Sequence, residues 1–316
     1  MSEIRNVTVV GAGTMGHSLA QAFSQGGCNV WLHDVREEIL SKAKGLISSN
    51  LKTLAELGLL KKDQPAAILG RIQTTTQIER AGENAQFVLE AIIENAAAKK
   101  EVFTALDRIC PPQAILASNT SYLDIFTFVE TKRPDKVLIT HCFAPPHLVP
   151  LVEIVKGPHT SPETVATVKA LMIHLGKKPI VLSKFLPGFI ANRLQSALRL
   201  EAHFLLDQGY STPEDIDMAT KAGFGLRIPI LGLIQREDYA GLDAIQKSLN
   251  NRLYRPPEVQ GSSKSLDRLV AQGKLGIKTG SGFYDYHGRS TEDLMRERDI
   301  KLIKLMEFLK EIGELA

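Results

Sequence analysis

Residues 6–16 read Asn-Val-Thr-Val-Val-Gly-Ala-Gly-Thr-Met-Gly (NVTVVGAGTMG). Asn6 to Val10 is a short run dominated by β-branched residues, the pattern of a buried strand. Gly11 to Gly16 follows as a glycine-rich turn, and Leu19, Ala20 and Phe23 then recur at helical spacing. Asn29 to His33 (NVWLH) is a second strand, closed by Asp34. Strand, turn, helix and strand in this order are the building block of a parallel sheet.

The same alternation extends outward. Glu37 to Leu69 is mostly helical in pattern, with Leu51, Leu54, Leu59 and Leu60 apolar and Lys61, Lys62 and Asp63 interrupting. It reads as a helical hairpin inserted into the sheet domain. Phe87 to Ile92 is then a strand, Lys99 to Ile109 a helix and Ala114 to Ala117 a strand. Val137 to Thr140 and Leu151 to Val155 are the last two strand candidates. From Gly188 onward the periodicity is helical, so Pro187–Gly188 marks a domain boundary. Thr291 to Ala316 is charged and reads as a surface helix.

The turn itself matches GxGxxG, and its setting gives the match weight: a strand precedes it, a helix follows, and an acidic residue ends the next strand. Gly11 would permit the tight turn, Gly13 the approach of a pyrophosphate, and Gly16 close helix–strand packing. Thr14 and Met15 would offer backbone N–H groups at the positive end of the helix. Asp34 would accept hydrogen bonds from the adenosine ribose and repel a 2′-phosphate, so the expected cofactor is NAD. The fold class is therefore α/β: a Rossmann-type dinucleotide-binding domain over residues 1–186 with an inserted helical hairpin, then a smaller all-α domain over residues 187–316.

Bulk properties narrow the class further. The 316 residues suffice for two domains, and 44% hydrophobic with 23% charged residues is ordinary for a globular protein. A formal net charge of +3 gives no basis for a nucleic-acid or membrane partner. Three dispersed cysteines, Cys28, Cys110 and Cys142, do not suggest a disulfide framework. With no secretory pattern after Met1 and no apolar run of spanning length, a cytoplasmic protein is expected.

The chemistry is expected near His141. Glu153 lies about twelve residues on, in the next strand. If the two strands are adjacent, its carboxylate reaches the imidazole, fixes its tautomer and stabilises its charged form. A dehydrogenase needs such a base, because a hydroxyl proton must leave as hydride leaves the same carbon. His147 is the nearest rival; His17 and the other histidines carry no comparable signal. Ser118-Asn119-Thr120-Ser121 follows a strand at the end of the sheet where ligands bind. Asn192 sits in an otherwise apolar helical stretch and needs a hydrogen-bonding partner, protein or substrate. Cys142 beside His141 lacks an orienting pattern for a nucleophile. No metal-ligand spacing is present.

These motifs, in order, resemble the L-3-hydroxyacyl-CoA dehydrogenase family over essentially the whole chain. The resemblance rests on VTVVGAGTMG, EAIIEN with Lys99, SNTS, HCFAPPHLVPLVEIV, PGFIANRL and LGIKTGSGFYDY. It implies His141 as catalytic base, Glu153 as its orienting partner, and Ser121 and Asn192 as substrate contacts. Ser121 would also lie near the nicotinamide. Glu94, Lys99 and Lys278 would touch the cofactor, and Lys61 and Lys62 would lie near an acyl-CoA nucleotide. A homodimer formed through the helical domain is also implied.

One position departs from the family. Its usual HFFNP is here His141-Cys142-Phe143-Ala144-Pro145, so an amide donor is missing at Ala144. The PPHLVPLVE stretch is closer to branches acting without CoA: L-gulonate, carnitine and pyridine-carboxylate dehydrogenases. The leading expectation is oxidation of a short-chain L-3-hydroxyacyl-CoA. A second keeps the chemistry on a free β-hydroxy acid. A third is a non-catalytic NAD(H)-binding structural protein.

Overall fold

A computed structural model describes residues 4–251, 253–258 and 261–315. The chain divides into two compact units, Met1–Asn192 and Arg193–Ala316. The first unit holds an eight-stranded sheet: β1 (Asn6–Val10), β2 (Asn29–His33), β3 (Ile72–Thr75), β4 (Phe87–Glu90), β5 (Ile115–Ser118), β6 (Val137–Cys142), β7 (Leu151–Lys156) and β8 (Lys178–Leu182). Their order is β3-β2-β1-β4-β5-β6-β7-β8. All pairings are parallel except β6 with β7.

Helices α1 (Gly16–Gln25), α2 (Glu37–Glu56), α3 (Gln64–Gly70), α4 (Ile78–Gly82), α5 (Ala96–Ile109) and α6 (Pro162–His174) belong to this unit. The expected inserted hairpin is α2 and α3. Leu40, Ile47 and Leu51 of α2 are buried at helical spacing, which is how the hairpin holds to α1 and β3. A core of Phe103, Leu106, Leu116, Ile139 and Phe189 fills one side of the sheet. β1 and β4 are neighbours although β2 and β3 intervene in sequence. Chain direction across the sheet reverses there, and ligands bind at the carboxyl ends of strands beside such a reversal.

Two strands were not anticipated: β3 and β8, the two edges of the sheet. β3 (IQTT) has a single large hydrophobe, and β8 (KPIVL) carries Pro179 and exposed Ile180 and Val181. Edge strands bury little and tolerate proline, so they lack the apolar run that betrays a central strand. Other boundaries also shift. β4 stops at Glu90, and α5 begins earlier than expected because Asn95 caps it, accepting from Ala98 N at 3.0 Å. β6 runs two residues further than expected, so His141 lies within the strand and not after it.

The second unit is helical. It contains most of α7 (Ala191–Asp207), then α8 (Pro213–Ala219), a π-helical turn (Thr220–Phe224), α9 (Gly225–Leu231), α10 (Gln235–Ala240), α11 (Leu242–Asn251), α12 (Lys264–Ala271) and α13 (Thr291–Glu311). Among the described residues its β-structure is limited to isolated bridges, Gly276 to Ser281 and Ser281 to Asp285. Ser290 opens α13 by accepting from Asp293 N at 3.0 Å, and the helix buries Ile303 and Leu309.

Candidate active site

The glycine turn leaves β1 at the sheet's carboxyl edge, and its three glycines are held by different constraints. Gly11 has φ of +99°, and a Cβ there would come within 2.7 Å of the Ala91 carbonyl oxygen. A Cβ at Gly16 would collide with the Gly11 carbonyl. At Gly13 a Cβ would meet nothing within 4 Å. Gly11 and Gly16 are thus closed by packing, whereas Gly13 faces open space. Gly13 and Thr14 are exposed, with Met15 half-buried, at the mouth of α1. Asp34 accepts from Ala12 N at 2.9 Å and from Arg36 N at 3.2 Å. It is half-buried, so it both braces the turn and presents a carboxylate beside it. An open cradle at a helix amino end, with an acid at the end of the next strand, fits NAD.

His141 and Glu153 are register partners across the antiparallel β6–β7 pair. Directly opposed residues project to the same face, which brings the two side chains together. His141 Nδ1 lies 2.8 Å from Glu153 Oε2. The other carboxylate oxygen, Oε1, accepts from Ile190 N at 3.0 Å and Ala191 N at 3.1 Å, where α7 begins. Burial alone would push the Glu153 carboxyl up. The hydrogen bonds from His141, Ala191 and Ile190 outweigh it and hold the group below the ordinary glutamate value.

An ionised Glu153 requires a proton on Nδ1, which leaves Nε2 as the acceptor in the neutral ring. Nε2 lies 3.1 Å from Ser121 Oγ. Two rings fix the imidazole plane: Phe143 edge-on at 4.6 Å and Phe189 at 5.1 Å. The Pro187–Phe189 corner is itself tied to the serine loop, with Gly188 N donating to Ser121 O at 3.1 Å.

The SNTS loop is built on two carboxylates. Glu90, fully buried at the end of β4, accepts from Ile92 N and Lys99 Nζ, each at 2.7 Å, and from Ser118 Oγ at 2.6 Å. Glu94 accepts from Thr120 Oγ1 at 2.5 Å, Ser121 N at 2.9 Å and Tyr122 N at 3.0 Å. Lys99 is 1% exposed and lies 3.4 Å from Glu94 Oε2. Burial would raise the Glu94 carboxyl, but the Thr120, Tyr122 and Ser121 hydrogen bonds and Lys99 hold it low. The Lys99 ammonium is therefore committed to carboxylates under the loop, and Glu94 spends one oxygen on the loop's own donors. Asn119, from the same motif, accepts from Cys142 N at 2.9 Å and links the loop to β6.

Of these supports, Glu90 lies outside the segments expected at the site from its residues alone, whereas Ser118, Asn119 and Thr120 belong to the expected polar segment without individual roles. A buried carboxylate on β4 followed by a buried lysine nine positions on would have found the first.

The remaining expected residues are Asn192, Lys278, Lys61 and Lys62. Asn192 is half-buried at the start of α7, and its side chain makes no hydrogen bond to a described residue. Lys278 belongs to the second unit, exposed in a turn closed by Gly276 N to Ser281 O at 2.8 Å. Lys61 and Lys62 are exposed in the α2–α3 turn.

The segment between β6 and β7 has its own anchors. Lys177 is buried and donates to Pro146 O, and to Val149 O at 3.0 Å. Burial lowers its proton affinity, with Cys142 offsetting part of that effect. His147 Nδ1 lies 2.6 Å from Ser18 Oγ, and His147 N donates to the same oxygen at 2.9 Å, so the rival histidine is bound to α1. Ala144 is exposed. Burial pushes the Cys142 thiol up to about 11, which suits a packed residue and not a nucleophile. Among the described residues no cluster of metal-ligating side chains occurs, and no helix is long and apolar enough to cross a membrane.

The NAD binding domain of 3-hydroxyacyl-CoA dehydrogenase matches residues 6–185, and its C-terminal domain matches residues 188–286. The 5-formyl-3-hydroxy-2-methylpyridine 4-carboxylate 5-dehydrogenase of Mesorhizobium japonicum is 33% identical over 97% of this chain and 99% of its own length. A probable 3-hydroxybutyryl-CoA dehydrogenase of Bacillus subtilis is 36% identical over 92% of this chain and 100% of its own length. A crystal structure of a dehydrogenase of that pyridine carboxylate, described as an NAD+-dependent dismutase, superposes with a TM-score of 0.86. It is 32% identical and covers 97% of this chain and 99% of its own.

The Glu153 network has a consequence for acid stability. Because the folded carboxyl is held low, its contribution is complete above the unfolded glutamate value and is lost as pH falls through the folded one. Glu153→Gln should cost about 1–3 kcal/mol at pH 7. The gap from the wild type should stay constant down to roughly pH 4.3 and narrow below it. Urea unfolding across that range checks this; a gap that widens on acidification would contradict the assignment.

Proposed function

The chain belongs to the 3-hydroxyacyl-CoA dehydrogenase family and is an NAD-dependent oxidoreductase acting on a CH–OH group, and from that premise we propose that it oxidises a short-chain L-3-hydroxyacyl-CoA with His141 as general base. The observation that carries this reading is the Glu153–His141–Ser121 array, at 2.8 Å and 3.1 Å. NAD, held at the Gly13 cradle, supplies the hydride acceptor. Ser121 Oγ holds the substrate oxygen and is displaced from Nε2 as that hydroxyl arrives. His141 Nε2 then takes the hydroxyl proton. Glu153 stabilises the imidazolium so formed and keeps the ring from turning. Asn192, whose amide has no hydrogen bond within the described residues, contacts the substrate.

Glu94 and Lys99 border the cofactor through the SNTS loop, and Lys278 remains a proposed contact. The exposed Lys61 and Lys62 suit the nucleotide phosphates of an acyl-CoA. The buried free thiols of Cys28, Cys110 and Cys142 fit a cytoplasmic setting.

A second substrate reading rests on Ala144. Without the amide, one polar contact is lost at the turn that leaves β6, and a free hydroxy acid becomes the alternative. The extent of the match to the pyridine-carboxylate dehydrogenase favours it. NADH oxidation with acetoacetyl-CoA, run beside free β-keto acids and the pyridine carboxylate, separates the two. Turnover confined to the free acids would reject the CoA reading. On the preferred substrate, His141→Gln should retain NADH affinity and lose turnover roughly 10²–10⁴-fold. Near-normal turnover would remove His141 from its role.

We also propose a homodimer through the second unit. Leu226, Ile234, Leu242, Leu249 and Leu253 there are 60–85% exposed, apolar surface that a second copy would cover. Sedimentation equilibrium should give twice the 34.7 kDa chain mass. A monomer at micromolar concentration would overturn this.

A further inference from the structure

His17 follows the last glycine of the turn, in the first turn of α1, and is half-buried. Its Nδ1 lies 2.8 Å from the Gly13 carbonyl oxygen. A carbonyl can only accept, so Nδ1 donates and carries the ring proton. The Nε2 edge makes no hydrogen bond to a described residue. That hydrogen bond anchors the ring to the Gly13 carbonyl at the amino end of α1. Gly13 is also the glycine of the turn whose Cβ would meet nothing within 4 Å, while Gly11 and Gly16 are tightly packed. The imidazole is thus bound to the glycine that leaves room for a ligand.

We propose that His17 is a further cofactor-binding residue: when a dinucleotide pyrophosphate enters the Gly13 cradle, Nε2 takes a proton from solvent and the imidazolium pairs with that anion. No bond in the cofactor changes; one proton moves from buffer to protein. The proposal rests on the reading of the turn as the NAD site.

The surrounding charges are few. The elements packed on α1 are β1, β2, β3, α2 and α3. At its amino end these carry His33, the last residue of β2, and Asp34 after it, with Arg36, Glu37 and Glu38 where α2 opens. The β6–β7 segment adds His147, bound to Ser18. Arg71 lies at the other end of α1, on the Ser24 carbonyl. Burial disfavours the charged form of His17, and the Gly13 carbonyl restores part of that loss. The free protein therefore holds the ring neutral at pH 7, ready to charge when an anion arrives.

ADP-ribose is the probe, because it has the pyrophosphate and lacks the nicotinamide that would engage His141. Calorimetry at pH 6.5 in two buffers of different ionisation enthalpy should show proton uptake on binding. The Kd should rise roughly tenfold between pH 5.5 and 8.5, the equivalent of a one-unit shift on binding. His17→Asn keeps a donor for the Gly13 carbonyl but cannot charge, so it should bind without uptake and with a pH-independent Kd. His17→Gln should behave likewise, and circular dichroism confirms that both variants are folded. Binding without proton uptake in the wild type, or uptake that survives in both variants, overturns the proposal alone. Failure of ADP-ribose to bind at any pH overturns it together with the cofactor reading beneath it.

Discussion

A carboxylate enclosed between two strands governs the geometry of this molecule. Glu153 has no exposed surface, and an ionised group without water must find hydrogen-bond donors from the protein. It finds them in three places: the His141 imidazole and the N–H groups of Ile190 and Ala191. The first fixes which nitrogen of the histidine is open. The other two fix where the helix after the Pro187 corner begins. Antiparallel pairing of β6 and β7, the exception in an otherwise parallel sheet, is what sets His141 opposite the acid. A parallel partner would need a long crossover and could not follow after so short a connection.

A second buried carboxylate, Glu90, plays the same part under the neighbouring loop. It gathers Lys99, Ser118 and the Ile92 N–H, while Glu94 takes the donors of Thr120, Ser121 and Tyr122. The serine that faces His141 is thus positioned from beneath by charge and from the side by the Gly188 N–H. These networks are costly to bury and strongly directional. Removing one partner leaves the other charged and unsatisfied, at a cost of about 3–5 kcal/mol. That cost makes the relative placement of Ser121, His141 and Glu153 rigid before any ligand binds.

Much of this was legible in the chain. The sheet domain, its inserted hairpin and the Gly11–Gly16 turn announce themselves through apolar runs and glycine spacing. The pairing of His141 with Glu153 follows from two strands and a short connection. The two edge strands were hidden because edges need little apolar surface. The supports of the serine loop were hidden for a different reason. The resemblance makes Glu94 and Lys99 cofactor contacts, and only the fold shows the buried lysine spent on Glu90. His17 was passed over because a histidine beside a glycine turn has no signature of its own. Its meaning comes from the Gly13 carbonyl it holds. Ala144 works in the opposite sense: its lost amide is plain in the sequence, while its effect depends on a substrate the fold does not name.

Everything at this site depends on Glu153 holding His141 with its Nε2 free to take a proton. Nitrogen-15 NMR of the labelled protein reads this directly, at alkaline pH where an imidazole is neutral. The arrangement predicts that His141 is protonated on Nδ1, with a pyridine-like Nε2 signal that moves when substrate analogue binds. A proton found on Nε2, with Nδ1 bare against Glu153, would contradict it.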